Sequence, residues 1–421
     1  MSARRFTFEC ILFQCLLCAG ACSSSANTEQ SAPTTDAGAS GDSASGATDS
    51  EPNGDTGREH RDTESAEDSY HSGDPSPADT VDDGEPDNPS ADASVDAAML
   101  DADGGPNDTS AEQDGAVNQR APYPFGLSDQ TMEFGGAIRR FRVHVPDGLE
   151  RPVAVLLVLH GGGGEGMDVA QLGEHPLSVF RTVADREGFV VVYPEGSSAN
   201  EPMARVGWAD CRADNRTASG ADDVGFLAAL VDRIGDEYLL TSTEIFVTGG
   251  SNGAQMTHAF AFHHADRVGA VATGSGSLPE TPLPGACTTG PGRPLPILIL
   301  HGTADSQMPY EGGCVANLGG ACNRGRVISA EDTRDRWLEL NGLSNVSPEQ
   351  TVIDIDVADA GSANRWYYPG SAPVEWWRLD GAGHAQPSLS VRKDPNQLTG
   401  IQNNDIEFAE IVWQFFASTL R

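Results

Sequence analysis

The sequence predicts an α/β fold, a mostly parallel sheet flanked by helices, preceded by a disordered acidic linker. Three observations carry this reading. Apolar runs such as Val-Ala-Val-Leu-Leu-Val-Leu at 153–159 and Phe-Val-Val-Val-Tyr at 189–193 are continuous rather than alternating, as in strands that helices cover on both faces. These runs alternate with stretches of helical apolar spacing. The first hundred or so residues have a different composition from the rest.

That early segment sets the domain boundaries. Residues 23–118 are dominated by Ser, Asp, Ala, Gly, Thr, Glu and Pro, with 24 acids against two arginines, so −22 of the chain's net charge of −36 lies there. Such a stretch buries too little apolar surface to offset chain entropy and is expected to be disordered. Within it, Asp101-Ala-Asp103-Gly-Gly-Pro-Asn-Asp108 mimics a calcium loop, but Gly105 and Pro106 stand where that loop needs a ligand and a glycine, so it reads as linker. Residues 119–421 remain for one folded domain, with order expected from near Gly135. The acidic balance excludes nucleic acid as a partner, since phosphate contacts need clustered Lys and Arg, and equally excludes docking on anionic lipid.

Residues 1–22 read as a targeting segment: Arg4 and Arg5, then a short apolar run at 10–18, then Ala19-Gly20-Ala21. Ala-Gly-Ala followed by Cys22 is similar to a bacterial lipoprotein box, with Cys22 lipidated and the acidic tract as tether. The same tripeptide also fits an ordinary cleavage site that releases a free secreted protein. Contact with a membrane is expected only through such an anchor, and the location is extracellular or cell envelope. Four further cysteines, Cys211, Cys287, Cys314 and Cys322, suit an exported chain with two disulfides. Cys314 and Cys322 share one Gly-rich loop, which favours 314–322 and 211–287. These four include no C-x-x-C pair to support a zinc site, and no metal or cofactor is expected.

Strands are expected at 140–145, 153–159, 189–193, 244–248, 268–272, 295–300 and 375–379. Helices are expected at 176–187, from Asp222-Asp223 to 238, and at 252–264, 330–341 and 404–419. Beyond the last helix no polymer-binding module is expected.

The chemistry centres on Gly249-Gly250-Ser251-Asn252-Gly253. An apolar strand leads into it and a helical pattern leaves it, the setting of a nucleophile elbow. A serine hydroxyl needs a base. His384 alone follows the last strand in a Gly-x-Gly-His loop, whereas His258, His263 and His264 ride the helix after the elbow. The acid that orients the base is expected to be Asp305, after the strand 295–300, with Asp380 as a weaker rival and Asp332 and Asp335 on a helix instead. The oxyanion needs two N–H donors. Asn252 supplies one, and His160-Gly-Gly-Gly-Gly164 the other, with Gly162 preferred. No Lys-Ser/Thr follows those glycines, which discounts a phosphate loop.

The motifs Leu-His160-Gly-Gly-Gly, Trp208 before Asp222-Asp223-Val-Gly-Phe226, Gly249-Gly-Ser-Asn-Gly253, His301-Gly-Thr-Ala-Asp305 and Gly381-Ala-Gly-His384 occur in order. Together they resemble the polyhydroxybutyrate depolymerase-type esterases, which include feruloyl and acetylxylan esterases, over roughly 135–420. The resemblance implies an α/β-hydrolase fold, the triad Ser251, Asp305 and His384, and serine ester hydrolysis through an acyl-enzyme. Trp208 is a candidate to line the substrate cleft, and Asp222-Asp223 read as cap and loop anchor. Two departures stand out: Ala385-Gln386-Pro387 where the family often has a Trp-Pro pair, and Ala254 where it often has glycine. The expected substrate is a feruloyl or acetyl ester of plant polysaccharide, with polyester depolymerisation, peptidase activity and a non-catalytic binding protein as the alternatives.

Overall fold

The computed structural model describes residues 122–198, 206–216, 218–316, 322–357, 361–394 and 399–420. The targeting segment, Cys22 and the acidic tract lie outside the described residues.

The chain opens with a hairpin, β1 (Gly126–Phe134) and β2 (Ala137–Val145). The fully buried β3 (Val155–Leu159) follows, then a short α1 (Gly166–Val169), α2 (Val179–Glu187) and β4 (Val190–Pro194). Two-residue strands β5 (Ser197–Ser198) and β6 (Val206–Gly207) pair with each other. Next come α3 (Asp223–Tyr238), β7 (Ile245–Gly250), α4 (Asn252–His264), β8 (Ala270–Gly274), α5 (Ala286–Thr289) and β9 (Ile297–Gly302). The minor pair β10 (Gly313–Cys314) and β11 (Arg326–Val327) precedes α6 (Ala330–Leu340). The chain then runs through β12 (Glu349–Ile353), β13 (Ser362–Tyr368) and β14 (Val374–Asp380) to α7 (Phe408–Thr419).

Ten strands form one sheet in the order β1-β2-β4-β3-β7-β8-β9-β14-β13-β12. The six central ones, β4 to β14, are parallel. Their continuous apolar sequences reflect burial on both faces. In β3, Val155, Leu157 and Leu159 pack into one core while Leu156 and Val158 pack into the other. The first core lies under α3, α4 and α6, and the second under α2 and α7. Ring stacking holds α7 down, Phe189 on Trp413 and Phe246 on Phe416.

Three expectations need correction. Order starts well before Gly135, because β1 pairs with β2 along its whole length. Two strands, β12 and β13, had not been expected; they extend the sheet antiparallel beyond β14. The last helix begins at Phe408 rather than 404. Residues 402–407 instead form a polar loop in which Asn403 bonds Asp405, and Glu407 accepts from Ser388, Leu389 and Ser390.

Candidate active site

The parallel strands end together, and their C-terminal edge gathers the motifs. At the end of β7 the chain turns sharply into α4 through Ser251, which has φ 56° and ψ −122°. A non-glycine residue in that region is strained, and its surroundings hold it there. The Ser251 N–H donates to Gly274 O at 2.8 Å. A Cβ on Gly253 would overlap the carbonyls of Leu159 and His160, so only glycine lets α4 approach the end of β3 this closely.

Three side chains from separate loops meet in one line. Ser251 Oγ lies 2.8 Å from His384 Nε2, and His384 Nδ1 lies 2.7 Å from Asp305 Oδ2. With Nδ1–H donating to the carboxylate, Nε2 is free to accept the serine proton. Asp305 is clamped from its other side, where Oδ1 accepts the N–H groups of Gln307 and Met308. His301 lies 3.5 Å from Oδ2 and also bonds Met308 O. Burial opposes the charge of Asp305. The contacts with His301 and His384 outweigh it and hold the carboxyl well below the ordinary carboxylate range. The rival Asp380 is elsewhere, paired with Arg378 and bonded by Asn364. Asp332 bonds Ser329 at the start of α6, and Asp335 pairs with Arg334.

The glycine loop lies against the elbow. A Cβ on Gly161 would sit 3.3 Å from Ser251 Cβ, and one on Gly162 3.4 Å from Asn252 Cβ. The Asn252 N–H is the first of α4, where no helical carbonyl is available to it. The loop is fixed from behind: Gly163 N–H donates to Val206 O, and His160 Nδ1 bonds Gly161 O at 2.8 Å.

Trp208 borders the cleft but is 1% exposed. Its indole N–H donates to His160 O at 2.9 Å, and its ring lies against the imidazole. The Asn252 side chain ties this segment to the elbow, with Oδ1 accepting from Trp208 N–H and Nδ2 donating to Asp210. Asp210 in turn holds Arg212. Asp222 caps α3 by accepting from Gly225 N–H, while buried Asp223 pairs with Arg139 and accepts from Ser197 and Ala209. The disulfides are Cys211–Cys287 and Cys314–Cys322. The first anchors the Trp208–Arg212 segment. Asp210, Arg212 and the His160 imidazole were not singled out in the sequence; the run Trp-Ala-Asp-Cys-Arg was the available signal.

Two hollows open on either side of Ser251. One, of about 380 Å³, runs past Trp208, Arg216, Gln255 and Arg324. The other, of about 330 Å³, is lined by His175, Gln386 and Lys393 among others. Lys393 is the chain's single lysine, and its ammonium donates to Glu174 O at 2.6 Å.

The sheet, the elbow and the line of three side chains define an α/β-hydrolase. No protein-family profile matches the chain, but curated relatives do. An acetylxylan esterase from Coprinopsis cinerea is 30% identical over 303 residues, covering 65% of this chain and 73% of that protein. Feruloyl esterase D from Neurospora crassa is 25% identical over 68% of this chain and 84% of its own length. The bifunctional acetylxylan esterase/xylanase XynS20E from Neocallimastix patriciarum is 29% identical over 42% of this chain, which spans only 23% of that protein. The chain likewise spans 57% of the protein named "Putative esterase NocK" from Nocardia uniformis subsp. tsuyamanensis. It belongs to the feruloyl and acetylxylan esterase-like family.

Proposed function

We propose that this chain is an exported serine esterase that cleaves feruloyl or acetyl esters of plant polysaccharide through a covalent acyl-enzyme. The observation that carries the proposal is the line Ser251–His384–Asp305 at the carboxyl edge of the sheet.

In this reading His384 Nε2 takes the Ser251 proton as Oγ attacks the ester carbonyl. The oxyanion forms against the Asn252 and Gly162 N–H groups. The C–O bond to the alcohol breaks, and His384 returns the proton to that oxygen. Water then attacks the acyl-enzyme, losing its proton to His384, and the acid leaves as Ser251 regains its hydrogen. Asp305 holds the imidazole in the required tautomer throughout. The sugar- and ferulate-linked substrates rest on the names of the acetylxylan and feruloyl esterase relatives. Export, with or without a lipid on Cys22, rests on the N-terminal sequence.

The test is hydrolysis of p-nitrophenyl acetate, methyl ferulate, acetylated xylan and hydroxybutyrate oligomers. Ser251→Ala is expected to lose at least about a thousandfold in kcat. An unchanged rate in that variant, or failure of a fluorophosphonate probe to label Ser251, sinks the reading. Cleavage of the hydroxybutyrate oligomers alone would favour a polyester depolymerase instead.

A further inference from the structure

The hollow on the Trp208 side carries a charge opposite to that of the chain around it. The chain's net charge is −36, yet the described residues lining this hollow include Arg212, Arg216 and Arg324 and neither Asp nor Glu. Arg212 is already committed to Asp210, with both side chains buried. Arg216 is exposed, and no acidic partner for it is found among the described residues. Its backbone is nevertheless tied down. Its N–H donates to Asn323 O at 2.9 Å, and Asn215 bridges to Arg324. The two loops concerned carry the two disulfides. A guanidinium held at a cleft mouth by a fixed backbone loses less freedom when it binds than one on a free loop.

A second observation lies deeper in the same hollow. Gln255 is 4% exposed and lies one turn into α4 from Ser251. Its Nε2 points at Met308 Sδ, 3.5 Å away, and its Oε1 has no hydrogen-bond partner. A buried carbonyl left without a donor is costly. A hydroxyl entering the hollow would satisfy it. The hollow's size, about 380 Å³, suits a small polar ligand.

We propose that this hollow is a subsite for a carboxylate-bearing part of the ester substrate. Arg216 takes the carboxylate, and Gln255 Oε1 accepts a hydroxyl nearer the scissile bond. The proposal rests on the ester hydrolase reading and deepens it by naming the substrate class, esters flanked by an acid. Two sources share that chemistry: uronic acid units on an acylated polysaccharide, and the free carboxyl end of a hydroxyacid oligoester.

Paired substrates test it. Acetylated glucuronoxylan is compared with the same polymer after carboxyl reduction, and a hydroxybutyrate trimer with its terminal carboxamide. The wild-type chain is expected to favour the acid of a pair by about three- to tenfold in kcat/KM at low salt, through KM, with the preference shrinking as salt is added. A preference in the first pair alone identifies the polysaccharide, and in the second alone the oligoester. Arg216→Glu should abolish the preference, and Arg216→Lys should keep part of it. Equal rates within both pairs, or a preference that survives Arg216→Glu, overturn the subsite. Binding of uronate-bearing against neutral xylo-oligosaccharides to Ser251→Ala, by calorimetry, separates the two failures. A protein that cleaves no ester but binds the acidic sugar through Arg216 sinks the hydrolase reading and keeps the subsite. One that cleaves p-nitrophenyl acetate and binds both sugars alike sinks the subsite alone.

Discussion

His160 commits its polar groups to neighbouring parts of the chain. Nδ1 bonds Gly161 O, Nε2 accepts from Gly196 N–H, and its own carbonyl accepts the Trp208 indole. That pattern requires a neutral ring with the proton on Nδ1. Burial holds the ring neutral, with its pKa brought down to about 4. The consequence reaches the proposed oxyanion donor, the Gly162 N–H, through one peptide. In a planar trans peptide the C=O and N–H point in opposite directions, so fixing Gly161 O also fixes the Gly162 N–H. His160→Ala is therefore expected to lower kcat by about ten- to a hundredfold with little change in KM, less than the loss of a donor itself. Steady-state kinetics with p-nitrophenyl acetate would check the split. Asp305→Asn keeps the shape of the acid but lets the imidazole take the wrong tautomer, and a fall in kcat of about 10⁴ is expected. A rise in KM of similar size with kcat unchanged would instead place both residues in binding.

The segment from Trp208 to Arg212 is short and irregular, and it owes its order to a crosslink and to the Asn252 side chain. Cys211–Cys287 closes a span of 76 residues, which the chain-entropy estimate values at roughly 4 kcal/mol. The pair Cys314–Cys322 spans 8 residues and is worth roughly 2–3 kcal/mol. Replacing Cys211 and Cys287 together by Ala should cost more stability in a denaturant titration than replacing the other pair, and should also lower activity, because the Trp208 segment backs the glycine loop. Equal losses would show that the larger span adds nothing. The same elements mark where the sequence was legible. The central strands announced themselves because burial on both faces leaves an unbroken apolar run. By contrast, β12 is mostly exposed and reads Glu-Gln-Thr-Val-Ile, and β1 reads Gly-Leu-Ser-Asp-Gln-Thr-Met-Glu-Phe. Edge strands need only part of one apolar face, so their pattern is faint. The elbow was readable because strand, turn and helix are contiguous. The bond from Asn252 to Asp210 was not, since it joins segments 42 residues apart that only the tertiary fold brings together.

Across the whole molecule, buried imidazoles set the response to acid. His258 is 1% exposed, accepts from Trp337 Nε1–H and bonds Gly276 O, and burial lowers its pKa from 6.5 to about 4. His160 behaves alike. Between those values the unfolded chain binds protons that the folded one refuses. Stability is therefore full above about pH 6.5 and falls as pH drops towards 4, by roughly 2–4 kcal/mol for each ring. The depressed carboxyl of Asp305 adds a further loss below the usual carboxylate range. Glu195 acts in the opposite sense, because burial pushes it up to about 7. It is partly exposed, so solvent weakens its contribution against two sealed imidazoles. The melting temperature is expected to be flat near pH 7–8 and to decline below pH 6.5, and His258→Gln should make that decline shallower. A melting temperature as high at pH 4.5 as at pH 7 would contradict this.

Arginine supplies all but one of the chain's 26 basic side chains, and the exception, Lys393, stands on the rim of the hollow opposite Arg216. Apart from the chain's own N-terminus, amine-directed chemistry has one address on this protein. An environment-sensitive dye coupled there would report the arrival of an ester or inhibitor as a change in emission, with no cysteine to be engineered and neither disulfide disturbed.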